Sequence, residues 1–507
     1  MSLRICFVAS EVAPLAKTGG LADVSAALIK YLHLADHDVR AFLPCYAALR
    51  RQGVPMRELS GLQDLALTLG RYTYRFSVLM AALPGSGAPL YLIDCPACFD
   101  RPSIYTTDAD EHRRFLLLTH AAFLACQHMV FAPQIMHFND WHTAIGPLLL
   151  RSNYAGDRSF QAARSVLTIH NIGYQGIVGA SELPEVLAGA PAALLDPEEL
   201  AAGRIGLLRT GIDLADLITT VSPTYAREIQ GPEYGMGLER LLRARAGALV
   251  GVLNGVDYDE WDPRHDRYLP QHYDAQGLAV KGALKAQLLA RLELAEAPRA
   301  PLIGVVSRLV AQKGFDLVFD TLPRLLPEHA FQVAALGSGE SGYEEFFAAL
   351  ARSYPTRVYY RRGYSDELAH WIEAASDLFL MPSRYEPCGL NQMYSLRYGS
   401  VPLVRRTGGL ADSVQPFEAA GDGGTPDGGT PDSGAPDDLG AGHDSGTGFV
   451  FEEYSAPALT ATLQAALQLY QEPRRWQALV RRGMAQDFSW ARQVQRYVEL
   501  YERLIAA

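Results

Sequence analysis

The chain has 507 residues, 49% of them hydrophobic and 20% charged. The length suggests about three domains or two large ones, and the composition excludes a disordered chain or a small disulfide-stapled scaffold. A net charge of −11 argues against nucleic acid as the main partner, because a polyanion would meet no excess of positive charge.

Met1–Ser10 lacks the basic start, long apolar core and cleavage site of a signal peptide. No apolar run approaches the roughly 20 residues of a membrane span. A cytoplasmic protein without membrane contact is expected. Leu3–Ala9 reads as a buried strand. A loop follows through Gly19-Gly20, and then Leu21, Val24, Leu28 and Leu32 mark one face of a helix. Further strands are expected at Val39–Leu43, Leu90–Ile93, Ile135–Phe138, Val166–Ile169 and Leu217–Val221, with helices such as Glu111–Val130 between them. Apolar strands alternating with helices predict a doubly wound parallel α/β sheet. The pattern restarts after about residue 250, with strands at Leu302–Ser307, Gln332–Leu336, Arg357–Tyr360, Leu378–Met381 and Val401–Val404. Two Rossmann-like domains in tandem are expected, 1–248 and 249–487. Residues 421–448 hold 10 Gly, 3 Pro and 6 Asp with no Lys or Arg, too little apolar surface to offset ordering entropy, and read as a mobile acidic loop. The stretch from Ala456 onward reads as helices.

Lysine is scarce: the 45 basic residues include only Lys17, Lys30, Lys281, Lys285 and Lys313. Lys17 and Lys313 stand out because both lie near glycine in loop-like sequence. Lys17-Thr-Gly-Gly-Leu-Ala-Asp23 puts a glycine pair at a helix N-terminus after a strand. Backbone N–H groups and the helix dipole favour an anion there. Gly19 and Gly20 let a phosphate approach the backbone, and Lys17 adds a mobile cation. No glycine precedes Lys17, so a P-loop is excluded. The same hexapeptide returns as Thr407-Gly-Gly-Leu-Ala-Asp412.

Arg308 and Lys313 follow the first strand of the second domain, where ligands of open α/β sheets bind, and two cations suit a diphosphate. Glu386 sits in the constrained turn Pro382-Ser-Arg-Tyr-Glu-Pro-Cys-Gly-Leu390. Its carboxylate would suit a sugar hydroxyl or a developing oxocarbenium charge, with Cys388 as small packing beside it. His137-Phe-Asn-Asp-Trp-His142 and Thr168-Ile-His-Asn-Ile-Gly173 also end strands. Without matching carboxylate spacing, hydrogen bonding to a polyhydroxyl ligand suits His142 and His170 better than a metal.

Three motifs mislead. Gly337-Ser-Gly-Glu-Ser-Gly342 fits a dinucleotide fingerprint but follows the wrong strand, and the next strand ends in Arg361-Arg362 rather than an acid. Asp257-Tyr-Asp259 looks like a metal-bound sugar-nucleotide site but lies in turn-rich sequence. Cys95-Pro-Ala-Cys98 has redox or zinc spacing but no second ligand pair.

Together, Lys17–Val24, Asn139–His142, Thr168–Asn171, Leu253-Asn-Gly-Val-Asp257, Ser307–Gly314, Pro382–Leu390 and Arg405–Asp412 resemble the bacterial glycogen synthases and plant starch synthases nearly end to end. These are retaining glucosyltransferases of the GT-B fold, two Rossmann-like domains facing a central cleft. The resemblance implies a last helix, within 488–507, that returns to the first domain. It implies transfer of glucose from ADP-glucose to the non-reducing 4-hydroxyl of glycogen or an α-1,4-glucan primer, with no cofactor and no metal. It places Lys17, Gly19 and Gly20 at the donor diphosphate, Asp23 in the substrate-binding set, Arg308 and Lys313 at the leaving phosphates, and Glu386 at the donor glucose. Cys388, Gly389 and Leu390 would contact sugar and phosphate. His170 would face glucose hydroxyls, Asp140 and Asn254 would line the cleft, Tyr364 would stack on adenine, and Asn171, Thr407 and Gly408 would complete the binding set. Tyr394 stands where many other GT-B retaining enzymes carry a second glutamate, an acid that glycogen and starch synthases also lack. The rivals are a GT-B enzyme using UDP-glucose and a small acceptor, a redox enzyme using Gly337–Gly342, and a non-catalytic glucan-binding protein.

Overall fold

The computed structural model describes residues 2–297, 299–420 and 444–506. The chain divides into two units, Met1–Gly255 together with Ser489–Ala507, and Val256–Phe488.

Unit 1 carries strands β1 (Arg4–Val8), β2 (Asp38–Pro44), β3 (Arg57–Glu58), β4 (Leu65–Leu69), β5 (Tyr72–Ala82), β6 (Pro89–Asp94), β7 (Ile135–Asn139), β8 (Arg164–Ile169), β9 (Ile177–Gly179), β10 (Arg204–Gly206), β11 (Leu217–Thr220) and β12 (Leu249–Gly251). Ten of them form one sheet in the order β12-β11-β8-β7-β1-β2-β6-β5-β3, with β4 paired to β5. β1 runs parallel to both β2 and β7, so Ile5 faces Val39 on one side and Ile135 on the other. Those three side chains are buried, as a central strand covered on both faces requires. The loop leaving β1 therefore opens at the point where strand order reverses, the position at which such sheets bind ligands.

The sheet is not wholly parallel. β5 runs antiparallel to β3, β4 and β6. The cause is legible in Leu65–Phe76: alternating apolar residues on both sides of Gly70, whose φ of 56° makes the tight turn between β4 and β5. The boundary after the first domain also lies later than residue 248. β12 pairs with β11 and belongs to the first sheet, and Gly255 still packs in unit 1, where an added Cβ would lie 2.8 Å from the Trp490 ring.

Unit 2 carries β13 (Leu302–Val306), β14 (Gln332–Gly337), β15 (Val358–Arg362), β16 (Leu378–Met381), β17 (Val401–Arg405) and β18 (Phe449–Phe451), in the order β15-β14-β13-β16-β17-β18 and all parallel. β13 lies between β14 and β16, a second reversal point, and the loops leaving β13 and β16 meet there. Ile303, Val305, Val333, Phe379 and Leu403 belong to the core beneath.

Of the acidic stretch 421–448, residues 421–443 lie outside the described residues. Residues 444–448 are not part of a mobile loop. Ser445 pairs with Glu418, Gly448 bridges to Pro416, and Asp444 holds Arg475 at 2.7 Å. An ion pair and backbone pairing supply what the composition lacks. Helices Ala456–Tyr470, Pro473–Met484 and Trp490–Ala506 follow. The last lies in unit 1, where the Tyr501 hydroxyl is 2.7 Å from His137 Nδ1 on β7.

Candidate active site

In unit 1 the loop after β1 leads into the helix Gly20–Leu34, with Gly19 as its N-cap. Two features shape it. Lys17 Nζ pairs with Asp23 Oδ1 at 2.7 Å, both partly exposed. Glu11, buried at the end of β1, points its carboxylate back into the loop. It accepts from the Thr18 N–H, from Thr18 Oγ1 at 2.7 Å, from the Gly19 N–H at 3.4 Å and from the Tyr105 hydroxyl at 2.5 Å. An internal anion thus already occupies two of the loop amides. The Gly20 and Leu21 N–H groups of the first helical turn have no partner among the described residues. A Cβ on Gly19 or Gly20 would meet no atom within 4 Å, so the space above the turn is open.

The ends of β7 and β8 meet beside this loop's strand. Asp140, at φ 53°, accepts from the His170 N–H at 2.7 Å and the Asn171 N–H at 3.4 Å, and burial raises its pKa to about 7. Asn139 Nδ2 donates to the Val8 carbonyl at 3.0 Å, so its Oδ1 is the acceptor facing His170 Nε2 at 2.9 Å. That nitrogen carries the proton, and His170 Nδ1 keeps its lone pair. Burial lowers the His170 pKa to about 3, so the ring is neutral near pH 7 and can accept from a hydroxyl. His142 is also held near 3 by burial, but its ring is enclosed by Tyr105, Trp141 and Phe115. Its Nδ1 is buried with no partner among the described residues. Asn254 is buried, and its Oδ1 has no partner among the described residues.

In unit 2, Lys313 Nζ meets Glu386 Oε2 at 2.5 Å, and Ser383 Oγ donates to the same oxygen at 3.0 Å. Glu386 is only 4% exposed, so a cation and a hydroxyl hold its charge in place. Arg308 is exposed, and its guanidinium has no partner among the described residues. The two loops are locked together: the Arg384 N–H donates to the Gln312 carbonyl at 2.9 Å, and Gly314, at φ 70°, leaves no room for a Cβ, which would lie 2.0 Å from the Pro382 carbonyl oxygen.

The turn Thr407–Gly409 braces the back of the Glu386 loop. The Gly409 N–H donates to the Glu386 carbonyl at 3.1 Å. A Cβ on Gly408 would fall 1.9 Å from that oxygen. Thr407 itself is fully buried. Gly389 has φ 72°, and Gln392 Nε2 donates to the Cys388 and Gly389 carbonyls at 3.1 and 3.0 Å, fixing the segment that leads into helix Asn391–Tyr398. Leu390 caps that helix. Tyr364 is exposed beyond the end of β15, after Gly363 at φ 100°.

Two of the misleading motifs have local structural roles. The glycines Gly337 and Gly339 let their backbone pass 2.1 Å, Cβ to oxygen, from the Ser307 and Leu309 carbonyls, so this turn buttresses the Arg308 loop. The Asp259 N–H closes onto Asp257 Oδ1 at 3.2 Å, a local turn. Among the described residues, His112, Glu182 and Glu185 could offer three atoms to a cation. Arg113 already donates to both carboxylates, at 3.2 and 2.5 Å, and supplies the positive charge.

Comparison with known proteins follows the same division. The model of the starch synthase catalytic domain matches residues 4–244, and that of glycosyl transferases group 1 matches 290–428. The glycogen synthase of Koribacter versatilis is 41% identical over 99% of this chain and 98% of its own length. That of Anaeromyxobacter dehalogenans 2CP-1 is 42% identical over 99% of each. The chain belongs to the glycogen and starch synthase family. It is a glycosyltransferase with glycogen synthase function, and its units have the GT-B type of fold. The catalytic domain of Arabidopsis thaliana starch synthase IV, solved bound to ADP and acarbose, superposes with a TM-score of 0.86 at 33% identity over the whole of both chains. The sucrose-phosphate synthase of Thermosynechococcus elongatus, at 16% identity and a TM-score of 0.59, shares the fold. No helix among the described residues is long and apolar enough to cross a membrane.

The candidate site residues are of two kinds. Glu386, Lys313, Arg308, Lys17 and His170 were legible from motif and strand end. Ser383, which holds Glu386, and Glu11 and Gln392, which shape the Thr18–Gly19 and Cys388–Gly389 turns, were not. Glu11 lies at a strand end like the others, and that position is the one signal that could have found it.

Proposed function

We propose that this chain transfers glucose from ADP-glucose to the non-reducing 4-hydroxyl of an α-1,4-glucan, with retention of configuration. The observation that carries the reading is the Lys313–Glu386 pair, with Arg308 on the same loop as Lys313, at the reversal point of the second sheet. Full-length likeness to glycogen synthases, and to a starch synthase solved with ADP, supports the donor.

Departure of ADP builds negative charge on the phosphate oxygens. Arg308 and Lys313 stabilise that charge. Lys17 and the open first-turn amides Gly20 and Leu21 give unit 1 its own phosphate-compatible feature. Positive charge grows at the same time on the glucose anomeric carbon and ring oxygen. The buried Glu386 carboxylate, aimed by Ser383, stabilises it without solvent reorganisation. His170 Nδ1 accepts from a sugar hydroxyl, and the exposed Tyr364 ring offers a face for adenine.

A donor panel with glycogen as primer tests the assignment. ADP-glucose should be preferred, whereas equal or better use of UDP-glucose, or transfer only to small acceptors, overturns it. Glu386→Gln should lower turnover by at least ~100-fold, the scale of losing one transition-state stabiliser. Near wild-type turnover in that variant would remove Glu386 from the mechanism.

A further inference from the structure

β17 ends on Arg405, and Arg406 follows it. Successive side chains of an extended chain leave on opposite sides, and these two arginines fare differently. Arg406 is exposed and pairs with Glu452. Arg405 is only 9% exposed. A guanidinium is buried to this extent only where neighbouring groups use its charge and its donors.

Those neighbours connect it to both loops of the unit 2 site. Arg405 Nη1 donates to the Arg384 carbonyl at 2.7 Å, two residues before Glu386. Its guanidinium carbon lies 5.6 Å from the centre of the Tyr454 ring, and that of Arg384 lies 4.7 Å from the same ring. Tyr454, beyond the end of β18, donates from its hydroxyl to Asp316 Oδ1 at 2.5 Å. Arg384 Nη2 meets Asp316 Oδ2 at 3.6 Å. Asp316 opens the helix Asp316–Glu328, three residues after Lys313. One ring thus gathers a residue that flanks Glu386 and a residue that flanks Lys313.

The charges balance as well. Two guanidiniums near one ring repel each other, and the π face and the Asp316 carboxylate offset that repulsion. Burial and the bond to Asp316 raise the Tyr454 pKa to about 12, so the hydroxyl stays a donor. The Arg405 bond is made to main chain, and therefore fixes the course of the Glu386 loop rather than one side chain. We propose that Arg405 and Tyr454 are positioning residues for glucosyl transfer: through the Arg384 carbonyl and Asp316 they fix the Glu386 loop against the Lys313 loop, so that carboxylate and ammonium stay in contact. This assignment rests on the transfer reaction above and adds to it the groups that set its geometry.

The test compares Arg405→Met and Tyr454→Phe with the wild type, reading kcat and the ADP-glucose KM with glycogen as primer. Arg405→Met should lower kcat by about tenfold or more while the KM stays within about threefold, because misplacing the reacting groups costs rate more than binding. Tyr454→Phe keeps the ring, loses only the hydroxyl, and should show the same split with a smaller fall. The deciding measurement repeats Arg405→Met in a Glu386→Gln background. A residue that acts by placing Glu386 loses most of its effect there, so the second substitution should cost about twofold or less. Loss of the same factor in both backgrounds overturns the proposal. So does an unchanged kcat in Arg405→Met, or a KM that rises in step with the fall in kcat. Should Arg405→Met fail to fold, Tyr454→Phe takes its place in the two backgrounds. Failure of the underlying function looks different: the wild-type protein would transfer no glucose from any nucleotide-glucose. The crystal structure of Arg405→Met then decides, a separated Lys313–Glu386 pair supporting the assignment and an unmoved pair overturning it.

Discussion

Thr18–Asp23 and Thr407–Asp412 share all six residues, and each opens a helix after a parallel strand. Their surroundings differ completely. The first turn stands in open space, with a glutamate carboxylate on two of its amides and two further N–H groups without a partner among the described residues. The second is wedged against backbone, its glycines 1.9 and 2.1 Å, Cβ to oxygen, from the Glu386 and Cys388 carbonyls. One sequence therefore uses glycine for two reasons: to admit a ligand in unit 1, and to admit another stretch of its own chain in unit 2. The motif announces a helix start, and the neighbours decide what the missing side chain is for.

The contrast breaks most visibly at Gly408. Gly408→Ala combines a left-handed backbone with a clash against a carbonyl, and should displace Glu386. Turnover should fall by ~100-fold or more, since misplacement of about 1 Å suffices for that. Steady-state kinetics alongside circular dichroism would separate this from unfolding; unchanged kinetics would show that the brace is dispensable.

A second contrast between the units concerns acid. Burial lowers the pKa of His120 to about 4 and those of His137, His142 and His170 to about 3, all in unit 1. The unfolded chain binds protons at these rings below about 6.5, whereas the folded chain does not. Stability should therefore rise with pH from about 4 to 6.5, by ~1.4 kcal/mol per pH unit for each net proton. Asp140, raised to about 7, and Glu373 in unit 2, raised by burial, bind protons in the fold and work against the trend, but the histidines outnumber them. Urea midpoints at pH 5 and 6.5 check the sign, and hydrogen exchange should show unit 1 losing protection first at pH 5.

Glu11→Gln tests the internal anion. It removes the charge that four donor groups share, and should cost about 1.5–3 kcal/mol, read from denaturant unfolding. Retained stability would mean that the loop holds itself. The smallest effect belongs to Gly20→Ala. With nothing near the new Cβ it should stabilise by roughly 0.4–1 kcal/mol through the unfolded chain. The donor KM should nonetheless rise, because a methyl group would stand where a phosphate approaches. A fall in melting temperature would contradict the open environment of the turn.

The parallel strands were readable because both faces of each are covered, so Ile5–Val8 or Val333–Leu336 present unbroken apolar runs. The antiparallel edge was harder to read. β4 and β5 are half exposed, and their signal is alternation around Gly70 rather than a run. The charged site residues stood out because glycine, proline and strand ends frame them. The residues that shape those turns did not. Glu11, Ser383 and Gln392 act through side-chain contacts within their own turns that exist only once each turn has its backbone conformation. Tyr105–Glu11 and Gln392–Ser413 add contacts between distant segments. Thr407 and Gly408 show the limit most sharply: the repeat was visible, but its use as a wedge depends on a carbonyl more than twenty positions earlier.

The final helix, Trp490–Ala506, carries its own consequence. It completes the first unit, yet all of the second is encoded before it. On the ribosome, residues 1–255 must wait with the His137 face of β7 uncovered until Trp490–Ala506 has emerged. Early release or a premature stop would leave that face bare, and chaperone capture of such nascent fragments is the expected cellular signature.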